Sequence, residues 1–579
     1  MSSLSLVLEG LEGADRGVPA VAQFDLKSLR SGPWEWDRVV KGTHATNCWY
    51  QMVCNFNVYV KDGMVFREEQ VGNYPAPNDL NAPDLNPKGC QKGVCYSHRV
   101  YDPSRIKYPL KRVGARGDGK WRRVSWDEAL TEIADAMIDV LTTDGPDAIA
   151  EGAGTMGQIL SSDGISWTAA FAALGIPVSS PTADNGDEHQ GGGITFGKVN
   201  LSCSADNWFY SDLILIWGGN PAYTHIPNHH FIAEARYHGT RVVTITPDYN
   251  PSSNHADLWV PVRPGTDAAL ALGMAHVIVR EGLHNRAFIQ EQTDLPLLVR
   301  LDTRRFLRQK DVKRGGADDI LYFYDSAAKR VVEAPRATLA LNGLDPALEG
   351  EYRVETLEGP VAVKPLLELF KEHLQAYTPE RVAEITGVPP RVIEDLAREF
   401  GRARGVVNIT TANWGKGYHG DLMERSIALL FALCGHIGRR GASFSAFSML
   451  GLDTAVGGLQ QRGDQVILAA AGADPRYAAW REAGYTHEMI LYEYVREAFA
   501  KGAMSPSSTF YYVHGGLMDL SLRHNWDPDL KRPLAEYVNE SFDKGWQFVY
   551  PARGKDPKML YTNGGNPIRR PRATNHELD

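Results

Sequence analysis

The chain has 579 residues, 43% of them apolar, with a formal charge of −9 and six cysteines. That length and composition suit several packed domains, and an acidic balance without a sustained basic block argues against a nucleic-acid surface. No run of eighteen apolar residues occurs, so no direct membrane span is expected, and the cysteines are too few for a disulfide framework.

Residues 1–32 read as an N-terminal extension. Met1–Arg16 holds no adjacent arginines, and its apolar stretch is only Leu4–Leu8. As written, a cytoplasmic address is expected; a missing twin-arginine leader would make the address periplasmic. Residues 33–105 read as a small metal-binding domain. His44, Cys48 and Cys54 fall close together, and Cys90 follows after an extended stretch with a Val-Tyr-Val-Lys-Asp-Gly turn over 58–63. Thiolates with one imidazole suit an iron–sulfur cluster and equally a Cys₃His zinc site. The spacing His44-x₃-Cys48-x₅-Cys54 fits poorly the short pairs of zinc motifs, and ordinary buried cysteines are the third reading. Cys95 is an alternative ligand, read first as a small buried apolar side chain. Strands are expected at 56–60 and 64–68, with Trp34, Trp36 and Trp49 for packing and a polar loop at 72–88.

Residues 106–125 form a basic segment, including Lys111, Arg112, Arg122 and Arg123, whose default reading is a solvated face. The 3–4 spacing that follows predicts a helix over 126–138, with Ser125 as N-cap and Glu128 three residues on. The middle of the chain then alternates strand and helix. Strands are predicted at 212–217, 240–246 and 258–262, with a helix at 227–238, which implies βαβ units and a parallel sheet. Gly218, Gly219 and Asn220 close the first strand, and Thr246-Pro-Asp248 closes the next. At such carboxyl ends small loops let backbone approach a phosphate. Gly265, Thr266 and Asp267 open a helix whose first turn suits an anion. Each of these is equally a turn former. Later, 405–410 is a strand, its end loop carries Trp414, Gly415 and Lys416, and a helix over 421–434 is stopped by Gly435. Residues 304–363 read as an insertion and 452–480 as loop. The predicted fold class is multidomain α/β: the cluster domain, interleaved α/β domains over 106–460, and a remaining α/β part over 461–579.

These motifs resemble the catalytic subunits of the dimethyl-sulfoxide-reductase family of molybdopterin oxidoreductases. The likeness is carried by His44-x₃-Cys48, Cys54, Asn86-Pro-Lys-Gly-Cys90-Gln-Lys92, Lys107-Tyr-Pro-Leu-Lys-Arg112, Ser125-Trp-Asp-Glu-Ala129, Gly186-Asp187, Thr246-Pro-Asp248, Gly265-Thr-Asp267 and Tyr418-His-Gly-Asp-Leu-Met-Glu-Arg425. It is narrowest to the branch of respiratory nitrate, selenate and chlorate reductases, ethylbenzene dehydrogenase and steroid C25 dehydrogenase. Five residues rather than three between Cys48 and Cys54 depart from the nitrate reductases.

The resemblance implies a molybdenum bis(molybdopterin guanine dinucleotide) cofactor and a [4Fe-4S] cluster on His44, Cys48, Cys54 and Cys90. It implies Asp187 as the protein ligand to molybdenum, with Asp184 as runner-up and Cys203 as the ligand of a formate-dehydrogenase-like alternative. Asn47 would orient Asp187, Lys92 would bridge cluster and pterin, and His419, with His189 behind it, would carry protons. Gly218–Asn220, Thr246, Asp248 and Gly265–Asp267 would contact one dinucleotide, and Trp414–Lys416 the other. The implied reaction is two-electron oxygen-atom transfer or anaerobic C–H hydroxylation of a small-molecule substrate, with oxyanion reduction as the alternative. An iron–sulfur beta subunit and a haem b gamma subunit are the expected partners. Because catalytic chains of the family end in a further β-barrel domain, a non-catalytic fragment without molybdenum is a third expectation, and a zinc-stabilised binding protein a fourth.

Overall fold

The computed structural model describes residues 36–42, 56–71, 90, 93–153, 162–179, 190–196, 203, 205–224, 226–335, 339–410, 414–417, 419–445, 474–485, 487–502, 504–505, 507–523 and 530–563. Near the amino end, β1 (Arg38–Gly42), β2 (Phe56–Lys61) and β3 (Met64–Gln70) form an antiparallel meander. Asp62, at φ 50°, and Gly63, at φ 76°, make its β2–β3 turn, as an Asp-Gly pair favours. Trp36 packs edge-on to Tyr59 but stays 40% exposed, less buried than expected. The basic segment folds as an exposed hairpin, β4 (Leu110–Arg112) with β5 (Trp121–Arg123). It leads into α1 (Trp126–Thr143), longer than predicted, where Ser125 Oγ accepts the Glu128 amide at 3.0 Å. The Glu128 carboxylate pairs with Arg122 at 2.6 Å.

Two parallel units follow, and the chain shuttles between them. In the smaller, β6 (Ile149–Ala153), α2 (Ser162–Leu174) and β7 (Val178–Ser179) come from the first third of the chain. Their parallel partners come from the far end, and Ile149, Phe171 and Ile176 form the core with Met559 and Tyr561. The helix α3 (Gln190–Phe196) then leads into the larger unit. There β8 (Leu213–Trp217), α4 (Ile226–Tyr237), β9 (Arg241–Ile245), β10 (Leu258–Val260) and α5 (Asp267–Arg280) run in order. All five residues of β8 are fully buried, which fits an apolar Leu-Ile-Leu-Ile-Trp run covered on both faces.

An antiparallel unit interrupts this pattern. It comprises β11 (Leu298–Arg300), β12 (Tyr322–Asp325), β13 (Arg330–Glu333), β14 (Tyr352–Thr356) and β15 (Gly359–Pro365). Because β11 pairs with β15, the unit begins before the predicted boundary at residue 304. The chain returns through α6 (Leu366–Leu374) and α7 (Pro390–Arg402) to β16 (Val406–Ile409), α8 (Gly420–Cys434) and β17 (Ser443–Ser445). Residues 475–482, inside a stretch expected to be loop, form a helix with Asp474 as its cap. The last strands are β18 (Met504–Ser505), against β7, and β19 (Met559–Asn563), against β6.

The larger sheet has the order β10-β9-β8-β16-β17, and every pairing is parallel. Leu213, Leu215 and Trp217 face the core built by α5, α7 and α8, whereas Ile214 and Ile216 face α4. The chain therefore leaves β8 through α4 on one face and β16 through α8 on the other, and moves outward in opposite directions. Loops that diverge in this way from two adjacent parallel strands open a crevice at their carboxyl ends. That topological switch point lies between Trp217 and Ile409.

Candidate functional site

One wall of the crevice follows β8. Gly218 turns the chain at φ 69°, and its amide donates to the Ile245 carbonyl at 2.9 Å. Behind it lies a polar brace that ties Asn220 to Asn250, Ser252 and Ser253, the last three without a role in the sequence reading. Asn250 Oδ1 accepts the amides of Ser252 and Ser253, at 3.0 and 3.3 Å. Ser252 Oγ donates to Asn220 Oδ1 at 2.8 Å and accepts the Ala222 amide at 3.0 Å. The Asn-Pro-Ser-Ser run after β9 was the available signal, since Asn and Ser bond nearby amides in turns. Asn220 thus fixes the shape of the loop. Thr246 is buried and donates to the Asp248 carbonyl at 2.8 Å, while Asp248 stands exposed at the end of β9.

The other wall follows β16. Trp414–Lys416 form a single 3₁₀ turn, and the Trp414 side chain is 1% exposed, inserted into the core 6.1 Å edge-on from Trp217. The expectation that Trp414 contacts a cofactor is corrected here: its ring is internal, because α8 and Phe444 close over it. His419 is exposed and left-handed at φ 51°, directly before α8. Gly420 has a local reason to be glycine. A Cβ there would come within 3.0 Å of the Trp414 carbonyl oxygen and the Gly415 backbone.

The segment after the Gly186-Asp187 motif docks at this wall. Gly192 donates its amide to the fully buried carboxylate of Glu424 at 3.0 Å. A Cβ on Gly191 would lie within 3.0 Å of the Asp421 carbonyl oxygen and 2.8 Å from Glu424 Cβ. Gly191 and Gly192 thus seat α3 against the first two turns of α8. In the sequence Glu424 stands out only as part of the 418–425 motif; its role as the acceptor that holds α3 comes from the tertiary contact.

Burial sets the electrostatics. Asp267, at the start of α5, is 8% exposed and accepts Trp217 Nε1–H at 2.8 Å. Desolvation raises its pKa, and the indole hydrogen bond offsets part of that rise. Asp267 therefore works inside the fold, where Trp217 takes its carboxylate, and a crevice contact for that side chain is corrected. Thr266 Oγ1 donates to the Arg263 carbonyl at 2.7 Å, and Gly265, at φ 80°, is open to solvent. At the amino end of α4, His229 is pushed down to about 4, chiefly by burial and then by His255, whose ring lies 5.0 Å away. Its Nε2 has no hydrogen-bond partner in the structure.

Of the expected cluster ligands, Cys90 is described. It is a half-buried free thiol whose carbonyl accepts the Gly93 and Val94 amides at 3.0 and 3.3 Å. His44, Asn47, Cys48, Cys54, Lys92, Asp184, Asp187 and His189 lie outside the described residues, as does the side chain of Lys416. Cys95 is exposed, contrary to its expected burial. Cys203 packs beside the core under α4. Among the described residues no group of three or more His, Cys, Asp and Glu side chains forms a metal site. None of the described helices is long and apolar enough to cross a membrane.

The doubly wound sheet defines an open parallel-sheet α/β protein, a class in which ligands sit in the crevice at the carboxyl ends of the strands. Residues 105–577 match the family described as molybdopterin oxidoreductase, and the chain belongs to it. Dimethylsulfide dehydrogenase subunit alpha from Rhodovulum sulfidophilum is 37% identical over 98% of this chain and 60% of its own length. Perchlorate reductase subunit alpha from Dechloromonas aromatica is 34% identical over 95% of this chain and 58% of its own. Respiratory nitrate reductase subunit alpha from Haloferax mediterranei is 36% identical, with 96% and 54% covered. The chain thus spans little more than half the length of these relatives.

Proposed function

We propose that this chain is the cofactor-bearing part of a molybdenum oxidoreductase catalytic subunit that performs two-electron oxygen-atom transfer or anaerobic C–H hydroxylation. The observation that carries this reading is the family match across residues 105–577. The crevice fits the group such a protein binds: Gly218 supplies a left-handed turn, Gly265 a side-chain-free edge, and Asp248 an exposed carboxylate. When bound, the bis(molybdopterin guanine dinucleotide) molybdenum supplies the two-electron redox change at an oxo group.

The residues of the chain hold and serve that group. Backbone at Gly218–Asn220 and Gly265–Thr266 receives phosphate oxygens, and Asp248 accepts from a ribose hydroxyl or a guanine N–H. The backbone of Gly415 and Lys416 faces the second dinucleotide. Asp187 would be the carboxylate ligand, oriented by Asn47, and His419 would hold the proton exchanged with substrate oxygen. His44, Cys48, Cys54 and Cys90 would hold a [4Fe-4S] cluster, and Lys92 would serve as the cation that hydrogen-bonds the pterin. An iron–sulfur beta subunit would accept the electrons, with a haem b subunit as a further partner; the first relatives are themselves named as alpha subunits.

The names of the relatives favour two directions. Dimethylsulfide dehydrogenase supports the oxidising direction, whereas perchlorate and nitrate reductases support oxyanion reduction as the second reading. Metal analysis of the purified chain with acid-labile sulfide tests the core of the proposal. About one molybdenum and about four iron per chain are expected, with molybdenum lost in Asp187→Ala. Iron without molybdenum would reduce the chain to an electron-transfer subunit, and zinc alone would overturn the reading. Dye-coupled assays with dimethylsulfide or ethylbenzene against chlorate or nitrate then decide the direction.

A further inference from the structure

The antiparallel unit presents a cavity of about 550 Å³ that shares no lining residue with the crevice between β8 and β16. Its lining joins apolar side chains, among them Phe306 and Leu366, with the basic Arg304, Arg305, Arg308 and Lys310. The one carboxylate in the lining, Asp318, is already taken by Arg308 and Lys310. Among the described residues, Arg304 and Arg305 form no ion pair. Glu372, whose charge senses Arg304, is itself bound to Lys364 at 2.8 Å. Two consecutive arginines without a carboxylate partner among the described residues thus line one cavity of a chain whose net charge is −9.

The turn that displays them is held rigidly. Arg300, at its base, keeps a side chain only 7% exposed among Asp302, Asp311 and Glu358, at 2.8, 3.2 and 3.0 Å. The Arg300 amide donates to the Arg305 carbonyl at 2.8 Å, and the Arg304 amide donates back to the Arg300 carbonyl at 3.0 Å. Closing the turn this tightly puts Arg304 at φ 57°, where residues other than glycine are uncommon. A guanidinium's planar fork matches two oxygens of a phosphate, and a cavity of this volume lies in the range of small organic ligands.

We propose that this cavity binds a phosphorylated organic anion of nucleotide size, with its phosphates on Arg304 and Arg305 and its apolar body on Phe306 and Leu366. The site is independent of the cofactor reading. It is tested on the full chain by the fluorescence anisotropy of a methylanthraniloyl-labelled adenosine diphosphate. The comparison variant is Arg304→Gly with Arg305→Ala. Glycine tolerates the left-handed turn, so the variant is expected to fold, as its melting temperature will show.

The expected result is binding that weakens with added salt, is displaced by unlabelled nucleotide, and falls at least about tenfold in the double variant. Asp248→Ala, in the crevice, should leave that binding unchanged. Arg304→Lys with Arg305→Lys keeps the charge and should show an intermediate loss. Equal affinity in wild type and double variant would overturn the proposal. So would displacement by inorganic diphosphate as strong as by the nucleotide, which would mark a simple anion site, or displacement by polyglutamate alone, which would mark a protein-docking surface.

Discussion

Gly191 tests the docking of α3 against α8 beside the crevice. In Gly191→Ala the new methyl would sit within 3.0 Å of the Asp421 carbonyl oxygen and 2.8 Å from Glu424 Cβ. Both belong to α8, which is packed into the main core and cannot yield, so α3 must lift. Overpacking of this kind costs about 1–3 kcal/mol. If lifting also breaks the Gly192–Glu424 hydrogen bond, a buried carboxylate loses its donor, at about 1–3 kcal/mol more. A total of about 2–6 kcal/mol is a large share of a typical folding stability of about 5–15 kcal/mol. The control is Gly193→Ala, where an added Cβ meets nothing within 4 Å and the helix gains propensity. Denaturant unfolding and metal content are measured on both variants. Gly191→Ala should be the less stable and should hold less molybdenum. Equal stability and equal metal in the two alanine variants would refute the docking argument.

Trp217→Phe keeps the apolar bulk but removes the N–H that Asp267 accepts, so unfolding should become easier by about 1–3 kcal/mol. Asp267→Asn keeps an acceptor and removes the charge. Because burial raises the Asp267 pKa above its ordinary 3.8, the native state holds the proton longer, and the stability this provides is lost as pH rises through the folded value. The stability of Asp267→Asn relative to wild type should therefore grow with pH, and a constant difference would deny the shift. His436 is the opposite case. Burial lowers it to about 4, while Nε2–H donates to the Phe400 carbonyl at 2.9 Å and Nδ1 accepts from Arg439 at 3.0 Å. Its contribution is complete above about pH 6.5 and is lost as pH falls toward 4; His436→Gln should show a shallower loss between pH 7 and 5 in denaturant titrations. Asn408 lies fully buried in β16 with both side-chain polar atoms unpaired. Asn408→Val should raise stability by about 1–3 kcal/mol, and a loss instead would reveal a polar group engaging the amide.

Legibility differed between local and long-range features. Leu213–Trp217 read as a buried parallel strand because apolar residues on both faces leave few other solutions. Ser125 read as a cap and Gly435 as a stop because each satisfies or ends a helix within a few residues. Cys95 and Trp414 were misjudged for a common reason. Their residue types permit both burial and contact with a ligand, and only neighbouring elements decide between these. Asp267 lies at a helix start, as expected, but the partner that takes its carboxylate, Trp217, lies fifty residues away at the end of β8.

By itself the sequence determined the strand–helix alternation, the turns that end β8 and β9, and the family to which the chain belongs. These depend on residues close together in the chain or on motifs in fixed order. Tertiary structure alone decided that β16 lies beside β8, and that β19 returns from residues 559–563 to pair with β6 at 149–153. It also decided that α3 rests on α8 through Gly191, Gly192 and Glu424. The physical reason is that an apolar strand specifies burial on both faces but not which strand it pairs with. The pairing that places the crevice between Trp217 and Ile409 is chosen by the two cores that close on opposite sides of the sheet.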